Sequence, residues 1–372
     1  MPWLVFGVAL VILGLRLPEA VVRAEFWAED GLFYSDALVR GLASITDPYA
    51  GYFIIGIRGV AFLETLGPPM YAPLIGNLLS LGVMASVAAF ATSRRMPWNR
   101  TTGTMIAAGI VILPIGFELV GTLVHVVWPL MLWMAFVAVS REPSTRAGRT
   151  METVGLVAAG LTGIGGVLVS PLFLRGPRRR LVAVVGVVVV QLLAVVATFG
   201  ERPGSLGAEW PLVPFIWLLR AVQTPLLGDS LTGALPLVAN IIIAGLVAAV
   251  AGVLLLRTAR HVAALIFLLS FAIPVAGIVM GGEATTALAN PAWAPRYFWS
   301  AGVGLVVLLA LNRRHLAAVP LITLFLFGAA LEFDIHPASE MGWRGQSACI
   351  GGPEPCEIPV APGDRWNVKW QP

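Results

Sequence analysis

Long runs of apolar residues, separated by short polar intervals, fill most of this chain. The runs are continuous and do not alternate at every second residue, a pattern typical of membrane-spanning helices and not of a β-barrel. Because a helix needs about 20 apolar residues to cross a bilayer, the pattern predicts an all-α, polytopic integral membrane protein with about 11 transmembrane helices. The predicted segments are residues 3–22, 70–92, 101–117, 123–140, 154–163, 167–174, 181–199, 231–256, 262–280, 299–311 and 316–331.

The amino-acid composition supports the same class. Hydrophobic residues make up 58% of the chain, charged residues make up 12%, and the mean hydropathy is +0.86. These values leave too little polar surface for a soluble domain of this length. The formal net charge of +4 is then a topology signal and not the footprint of a nucleic-acid binder. We expect membrane lipids, and no nucleic acid, among the partners of the protein.

Arginines cluster in the polar intervals that fall on one side of the predicted membrane. The clusters are Arg94, Arg95 and Arg100; Arg141, Arg146 and Arg149; Arg175, Arg178, Arg179 and Arg180; Arg257 and Arg260; and Arg313 and Arg314. By the positive-inside rule, that side is the cytoplasm. The sequence therefore predicts a multi-pass protein of the plasma or inner membrane, with a cytoplasmic N-terminus and an extracytoplasmic C-terminus.

Between the basic clusters that end at Arg149 and begin at Arg175 there is room for about one normal span, although both flanks are predicted to be cytoplasmic. We interpret this stretch as a hairpin of two short helices, residues 154–163 and 167–174. The turn would be Gly163-Ile164-Gly165-Gly166, where glycine allows the chain to reverse. The alternative is one tilted helix that breaks the charge rule.

Residues 49–67 are apolar but contain Arg58 and Glu64. Treating them as a span would place a basic cluster outside the cytoplasm, so we predict a juxtamembrane helix on the outer face. In the amphipathic stretch before it, Asp36 and Arg40 lie four residues apart and are expected to pair along one helix face. The first outer loop is thus predicted to contain interfacial helices.

The predicted domain organisation is simple. Residues 1–331 form the transmembrane module, with residues 23–69 as its first extracytoplasmic loop, and residues 332–372 form a polar extracytoplasmic tail. The tail contains both cysteines, Cys349 and Cys356, separated by Ile-Gly-Gly-Pro-Glu-Pro. A disulfide is permitted outside the cytoplasm, and no histidine or third thiol lies close enough in sequence to favour a metal site. We predict a Cys349–Cys356 disulfide.

The most acidic part of the chain is residues 23–47, in the first outer loop. Its acids are Glu25, Glu29, Asp30, Asp36 and Asp47. Carboxylates at a membrane face are costly and often functional, which makes the adjacent pair Glu29 and Asp30 a candidate site. The alternative is that both only cap a helix that begins near Gly31.

The order and sidedness of these features resemble the GT-C membrane glycosyltransferases, which transfer a sugar from a polyprenyl phosphate outside the cytoplasm. The resemblance covers most of residues 1–311, and each motif in it is short. The motifs are Ala28-Glu29-Asp30-Gly31, Pro48-Tyr49-Ala50-Gly51-Tyr52 with Arg58, Glu118 followed by His125 and Trp128, Leu161-Thr162-Gly163, and Arg296-Tyr297-Phe298. Where larger members carry a C-terminal domain, this sequence has the short tail, so carbohydrate-binding modules are not carried over.

The resemblance implies sugar transfer with inversion at the anomeric carbon. Such transfer needs a general base beside the acceptor hydroxyl and a cation beside the departing phosphate. In GT-C enzymes an acid of the first outer loop is the base, which assigns that role to Asp30, with Glu29 as its assistant. Both carboxylates are also candidate ligands of a divalent cation, Mg or Mn, because these ions prefer hard oxygen ligands.

Arg296, in an outer loop just before a predicted span, is expected to hold the donor phosphate, because a guanidinium can bind phosphate with two hydrogen bonds. Tyr297 would add a hydroxyl donor, and Arg58 is a second cation beside the acidic loop. The alternatives are an interfacial Arg-Tyr anchor and, for Arg58, a side chain that snorkels. For Arg220, a further outer arginine, the sequence does not decide.

Glu118 ends the third predicted segment, and His125 and Trp128 begin the fourth. A carboxylate and an imidazole at this depth are expected to orient the acceptor or carry a proton. The alternative is that Glu118 and His125 satisfy each other between packed helices.

Together these features predict a glycosyltransferase that moves a monosaccharide from a polyprenyl-phosphate donor to a glycan, lipid or protein acceptor of the cell envelope. A transporter or flippase of lipid-linked sugars is the main alternative, and a structural subunit is a third. Transporters usually place polar groups at the membrane midplane on broken helices, whereas the polar clusters predicted here lie at the outer rim.

Overall fold

Helices dominate the computed structural model of this chain, which describes residues 2–114, 118–198, 210–280, 289–290, 294–335, 341–363 and 366–372. The α-helices, numbered from α1 in chain order, are Pro2–Arg16, Glu19–Val22, Glu29–Arg40, Ile55–Glu64, Ala72–Ala91, Arg100–Ile112, Val127–Val139, Arg146–Gly160, Gly165–Val169, Arg178–Ala197, Val213–Ile216, Thr224–Ala234, Leu237–Leu256, Arg260–Phe267, Ile273–Met280, Trp299–Leu311, Ala318–Leu331 and Trp343–Gln346. Short 3₁₀ turns include Val124–Val126 before α7 and Pro295–Tyr297 before α16, and Trp217–Gln223 and Leu268–Ala272 are π-helical.

Two small antiparallel hairpins complete the structure. Strands β1 (Pro48–Tyr49) and β2 (Tyr52–Phe53) form the first, and β3 (Cys356–Pro359) and β4 (Asn367–Trp370) form the second. Both lie outside the long apolar helices, where the sequence analysis predicted no strands.

Within the described ranges, five helical segments are long and apolar enough to cross a membrane. They are Pro69–Ala91, Arg178–Ala197, Trp210–Ala234, Leu237–Leu256 and Arg260–Val279. One bent helix pair raises the number to as many as six, so the 11 predicted spans are not confirmed. The reason is length: at 1.5 Å per residue, a 13-residue helix such as α6 covers about 20 Å, against about 30 Å of hydrocarbon. The predicted ends at residues 117 and 199 lie outside the described residues.

The segment Trp210–Ala234 was not predicted, because the predicted span in this region begins only at residue 231. Arg220 lowers the hydropathy of this segment, but its side chain is fully buried. The guanidinium donates to the Asn290 carbonyl and lies over the Phe298 ring at 4.7 Å. Because these contacts are made inside the protein, the charge does not prevent the helix. Leu237, and not residue 231, begins the next long helix.

The predicted break near residues 163–166 is present. Helices α8 and α9 are bent by 120° relative to each other, and Gly163 between them has a φ of 153°. Fully buried Gln191 of α10 holds the bend by donating to the carbonyls of Gly160 (2.9 Å) and Gly163 (3.2 Å). The same side chain accepts a hydrogen bond from the Phe53 amide and donates one to the Phe53 carbonyl, which ties the bend to β2. The first half of the pair is longer than predicted, because α8 begins at Arg146.

Several of the basic intervals converge on one buried carboxylate. Glu152 of α8 pairs with Arg95, with Arg179 (2.9 Å) and with Arg180 (2.8 Å). Arg180 is 1% exposed and also donates to the carbonyls that end α7, including that of Ser140. A buried charge needs such compensation, and the network draws the ends of α5, α7, α8 and α10 together.

The remaining basic intervals join the same end of the bundle. Arg313 donates to the Thr102 hydroxyl at the start of α6 (2.6 Å), and Arg257 contacts the His315 ring. These contacts and the Glu152 network link all five predicted basic intervals to one another, and the membrane side that they face stays a prediction.

The tail packs against the first loop. Phe26 and Tyr34 share a buried cluster with Trp343, Val360 and Val368 of the tail. The Ala28 amide donates to the Ala361 carbonyl, the Lys369 amide donates to the Ser35 hydroxyl (2.9 Å), and the Trp343 indole donates to the Pro69 carbonyl (2.9 Å). Cys349 and Cys356 are bonded as a disulfide beside this cluster. The loop and the tail thus pack together as one unit.

Candidate functional site

Asp30 lies in the first turn of α3, and it is only 3% exposed. Its Oδ2 accepts a hydrogen bond from the Leu123 amide (2.9 Å) and its Oδ1 accepts one from the Val124 amide (2.6 Å). These are free N–H groups at the start of the turn before α7, where negative charge is favoured. The interpretation of Asp30 as a cap of its own helix is therefore corrected: it caps a segment more than ninety residues away in sequence.

The surroundings of Asp30 raise the pKa of its carboxyl group. Burial is the largest cause and raises the pKa of the Asp30 carboxyl to about 8, with the charge of neighbouring Glu29 adding to the shift. The amides of Leu123 and Val124 act against it, because they stabilise the ionised carboxylate. A carboxyl group with a pKa this close to neutrality is suited to general acid–base work.

Tyr49 connects the acidic loop to both candidate phosphate-binding arginines. Burial raises the pKa of its phenol, Glu29 adds to the shift, and Arg296 and Arg58 oppose it. Tyr49 ends β1 and pairs with Tyr52 across a two-residue turn at Ala50 and Gly51, where φ is 49° and 84°. Two positive φ values are typical of the type I′ hairpin turn. This turn therefore fixes a phenol within the electrostatic reach of three predicted site residues.

The predicted acceptor group and the predicted phosphate group form one cluster. The Arg296 guanidinium pairs with the Glu118 carboxylate at 2.9 Å and lies over the Tyr297 ring at 4.8 Å. Trp128 meets Tyr297 edge to face, with ring centroids 5.8 Å apart. The His125 Nδ1 lies 2.6 Å from the Glu118 backbone carbonyl and 2.9 Å from the Thr122 hydroxyl. The Glu118 side chain therefore pairs with Arg296, and the predicted alternative, in which Glu118 and His125 satisfy each other, holds only for the Glu118 backbone carbonyl.

Arg58 is buried and ion-paired, whereas the sequence predicted either a phosphate-binding or a snorkelling side chain. It is 4% exposed, pairs with Asp36 at 3.0 Å, and lies over the Phe33 ring at 5.0 Å. The predicted pair of Asp36 and Arg40 is not formed, because Arg40 pairs with Asp47 instead. Arg58 would have to leave Asp36 before it could hold a phosphate, so its role in binding stays a prediction.

The predicted divalent-cation site also stays a prediction. Among the described residues, no three His, Cys, Asp or Glu side chains converge as a metal ligand set. Both oxygens of Asp30 already accept amide hydrogen bonds, so a cation held by Glu29 and Asp30 would need ligands from water or substrate.

Backbone strain is concentrated beside the site. Within the described residues, the non-glycine residues with positive φ are Ala28 (40°), Ala50 (49°) and Ala294 (48°). Ala28 precedes Glu29, Ala50 follows Tyr49, and Ala294 lies two residues before Arg296. Such conformations persist only where the surrounding structure imposes them, and they recur at functional sites.

Two further groups near Asp30 are buried, which the sequence did not predict. Glu64 is 1% exposed and Tyr34 is fully buried, and the charge of Asp30 acts on the Glu64 carboxyl. The signal in the sequence is a charged residue within the apolar stretch 49–67, which indicates a helix outside the membrane but not what the carboxyl group contacts.

Comparisons with family models, with curated proteins and with solved structures find no match to this chain. The residues and their geometry therefore carry the functional argument.

Proposed function

We propose that this protein is an integral membrane glycosyltransferase of the GT-C type, which moves a monosaccharide from a polyprenyl-phosphate donor to a hydroxyl acceptor. One observation carries the proposal: residues 118–124 join the candidate base to the candidate phosphate ligand. The amides of Leu123 and Val124 hold Asp30, and the Glu118 carboxylate holds Arg296. A buried base and a guanidinium are thereby fixed relative to each other by one short segment, as sugar transfer from a phosphate requires.

In the proposed reaction, Asp30 takes the proton of the acceptor hydroxyl while the acceptor oxygen bonds to the anomeric carbon. The bond between that carbon and the phosphate oxygen breaks, and its electron pair leaves with the lipid phosphate. Arg296 exchanges Glu118 for this phosphate and neutralises its charge. The anomeric configuration inverts, as the resemblance to the GT-C enzymes implies. Glu29 and Tyr49 would contact acceptor or sugar hydroxyls, and Tyr297 and Trp128 would support Arg296.

The proposed orientation follows from charge. The end of the bundle that gathers around Glu152 carries the arginines and would face the cytoplasm, and the N-terminus would then also lie inside. The acidic loop, the tail and the site would face outward, in the plasma or inner membrane. The short apolar helices would cross the membrane with the help of their flanking turns, beside the five longer segments, and the lipid tail of the donor would lie against them.

The test is transfer of radiolabelled sugar by the purified protein from a panel of synthetic polyprenyl-phosphate sugars, with and without Mg or Mn. Asp30→Asn is the test variant, and Glu354→Gln, at an exposed acid of the tail, is the matched control. We expect transfer by the wild type and the control only. Transfer at the wild-type rate by a folded Asp30→Asn protein would remove the proposed base.

A transporter of lipid-linked sugars is the second candidate, and one observation favours it. The helix α12 is interrupted at Gly228 (φ 81°, ψ 171°), and just before it Arg220, Gln223 and Thr224 are fully buried. Broken helices with buried polar groups are typical of transporters. Movement of a fluorescent lipid-linked sugar across vesicles without bond cleavage would favour this function over transfer.

A further inference from the structure

The backbone is strained where α3 begins. Ala28, which comes directly before the acidic pair Glu29 and Asp30, has a φ of 40° and a ψ of −111°. Residues with a Cβ atom rarely adopt this conformation, and they keep it only where the surrounding structure imposes it. The hydrogen bonds within the turn are local, from the Asp30 amide to the Trp27 carbonyl (2.8 Å) and from the Gly31 amide to the Ala28 carbonyl (3.2 Å). The restraint that imposes the strain must therefore come from outside the turn.

The tail supplies such a restraint at Ala361. The Ala28 amide donates to the Ala361 carbonyl, the Ala361 amide donates to the Phe26 carbonyl (3.2 Å), and Trp27 and Ala361 form a parallel β-bridge. Ala28 and Ala361 are each only 5% exposed. If these bonds were lost, the backbone groups would be left buried without partners, which is costly. The contact with Ala361 therefore favours the strained conformation of Ala28.

The tail also contacts α3 after the acidic pair. A Cβ atom on Gly31 would lie 3.0 Å from the Val360 side chain and 3.1 Å from the Val368 side chain, so the tail packs directly against the helix backbone. One turn later, the Ser35 hydroxyl donates to the Gly31 carbonyl (3.0 Å) and accepts a hydrogen bond from the Lys369 amide of β4 (2.9 Å). The tail thus contacts the chain on both sides of the acidic pair.

Further contacts attach the tail to the first loop independently of Ala361. The Glu25 carboxylate accepts hydrogen bonds from the amides of Met341 (2.7 Å) and Gly342 (2.8 Å). Trp343 is 1% exposed, and its ring meets the Phe26 ring edge to face with centroids 4.7 Å apart. A buried tryptophan contributes a large apolar area, so Trp343 is the main apolar anchor of the tail on the loop.

The proposed phosphate ligand is held by other elements. The ion pair of Glu118 and Arg296 joins the segment before α7 to the 3₁₀ turn before α16. Loosening the tail should therefore affect the acidic pair first and leave the proposed binding of the donor phosphate largely intact.

We propose that the tail is a positioning element of the site, in which Ala361 holds Ala28 in its strained conformation and so fixes the acidic pair at the start of α3. A functional group on a loop needs support of this kind, because catalysis requires it to stay within about 0.5 Å of its productive position. The catalytic meaning of the contact rests on the function proposed above. The restraint on Ala28 is a property of the protein without substrate.

Amide hydrogen exchange of the purified full-length protein, without substrate, tests the restraint. Ser35→Ala removes the acceptor of the Lys369 amide. Ser86→Ala in α5 is the matched control, because the Ser86 hydroxyl also donates to a glycine carbonyl four residues earlier (2.7 Å), but at an exposed position. Trp343→Ala is the stronger variant. The Ala28 amide should exchange about 2- to 10-fold faster in Ser35→Ala, the range for one lost hydrogen bond, and faster still in Trp343→Ala. Ser86→Ala should exchange like the wild type. The proposal is overturned if the Ala28 amide keeps its wild-type rate in a variant whose β4 amides exchange faster.

Transfer assays separate the positioning role from the proposed function. In Trp343→Ala, kcat should fall by about 10- to 100-fold, the range for a misplaced catalytic group, while the KM for the lipid donor stays within about twofold. A tail that only stabilises the fold would lower the Tm and leave the kcat of the folded protein unchanged, and that result would overturn the positioning role. Absence of transfer by the wild type would remove the proposed function, and the exchange rates would still decide whether the tail restrains Ala28.

Discussion

The Arg296 guanidinium and the Glu118 carboxylate form an ion pair at 2.9 Å although 178 residues separate them in the chain. The pair is partly open to solvent, with 24% of the Arg296 side chain exposed and 10% of the Glu118 side chain. Glu118 thus orients the Arg296 guanidinium, and the exposed part of the Arg296 side chain would be open to a second anion. Glu118 would thus keep Arg296 in place until Arg296 binds the phosphate of the donor.

Replacing Arg296 should weaken donor binding more than folding. Arg296→Ala removes a charged hydrogen-bond donor worth about 2 kcal/mol, so we expect the donor Kd to rise about 30-fold. Arg296→Lys should recover part of this loss, because it keeps the charge but not the planar fork. Lipid-donor binding by tryptophan fluorescence measures both, with Arg344→Ala, an exposed tail arginine, as the control. Unchanged donor affinity in Arg296→Ala would make Arg296 an interfacial anchor.

The pH dependence of transfer should follow Asp30. A general base must be ionised to work, and burial raises the pKa of Asp30 to about 8. Transfer should therefore increase as the pH rises through about 8 and level off above it. Asp30→Asn should reduce turnover by about 10²- to 10⁴-fold, the range for loss of a general base. A rate that is already maximal at pH 6 would contradict this assignment. Glu29→Gln should lower the midpoint slightly, because one negative charge next to Asp30 is lost.

Gln191 should be important for stability although it is far from the proposed chemistry. Gln191→Leu leaves the carbonyls of Gly160 and Gly163 and both backbone groups of Phe53 without their partner. We expect a loss of about 4 kcal/mol or more in the free energy of unfolding, since four polar groups lose their partner and each buried unpaired polar group costs about 1–3 kcal/mol. Thermal unfolding in detergent measures this effect. Leu193→Ala, at a residue of the same helix that is 64% exposed, should change little. Equal losses of stability in both variants would argue against a stabilising role for the Gln191 hydrogen bonds.

The tail should depend on its disulfide. The bond closes a loop between Cys349 and Cys356, and for about eight residues the chain-entropy model gives a stabilisation of about 2.5 kcal/mol. Reduction should therefore speed proteolysis within residues 341–372 and leave helical circular dichroism unchanged. A double Cys→Ser variant should behave like the reduced protein. If the tail resists protease equally in both states, its packing against Phe26 and Tyr34 alone is sufficient.

Local features of the sequence determined much of the architecture. Hydropathy placed most of the long helices, since a continuous apolar run needs no tertiary information to be recognised. The glycines at residues 163–166 predicted the break between α8 and α9. The arginine clusters marked the five intervals that contact one another at one end of the bundle. Eleven spans are not confirmed, because the short apolar helices satisfy the same hydropathy pattern at a length below the roughly 20 residues of a normal crossing. The helix Trp210–Ala234 was overlooked because Arg220 is compensated by residues distant in sequence.

The site depended on tertiary structure. From the sequence, Asp30, Arg296, Glu118 and His125 were predicted as candidate site residues. They were predicted to have separate roles and different partners. Only the folded chain decided that Leu123 and Val124 hold Asp30. Only in the folded chain does the tail pack against the acidic loop, and only there does Glu64 lie close enough to Asp30 to feel its charge. The physical reason is that the ionisation of a buried carboxyl group is set by its donors, its burial and its neighbouring charges, and residues far apart in the chain supply these.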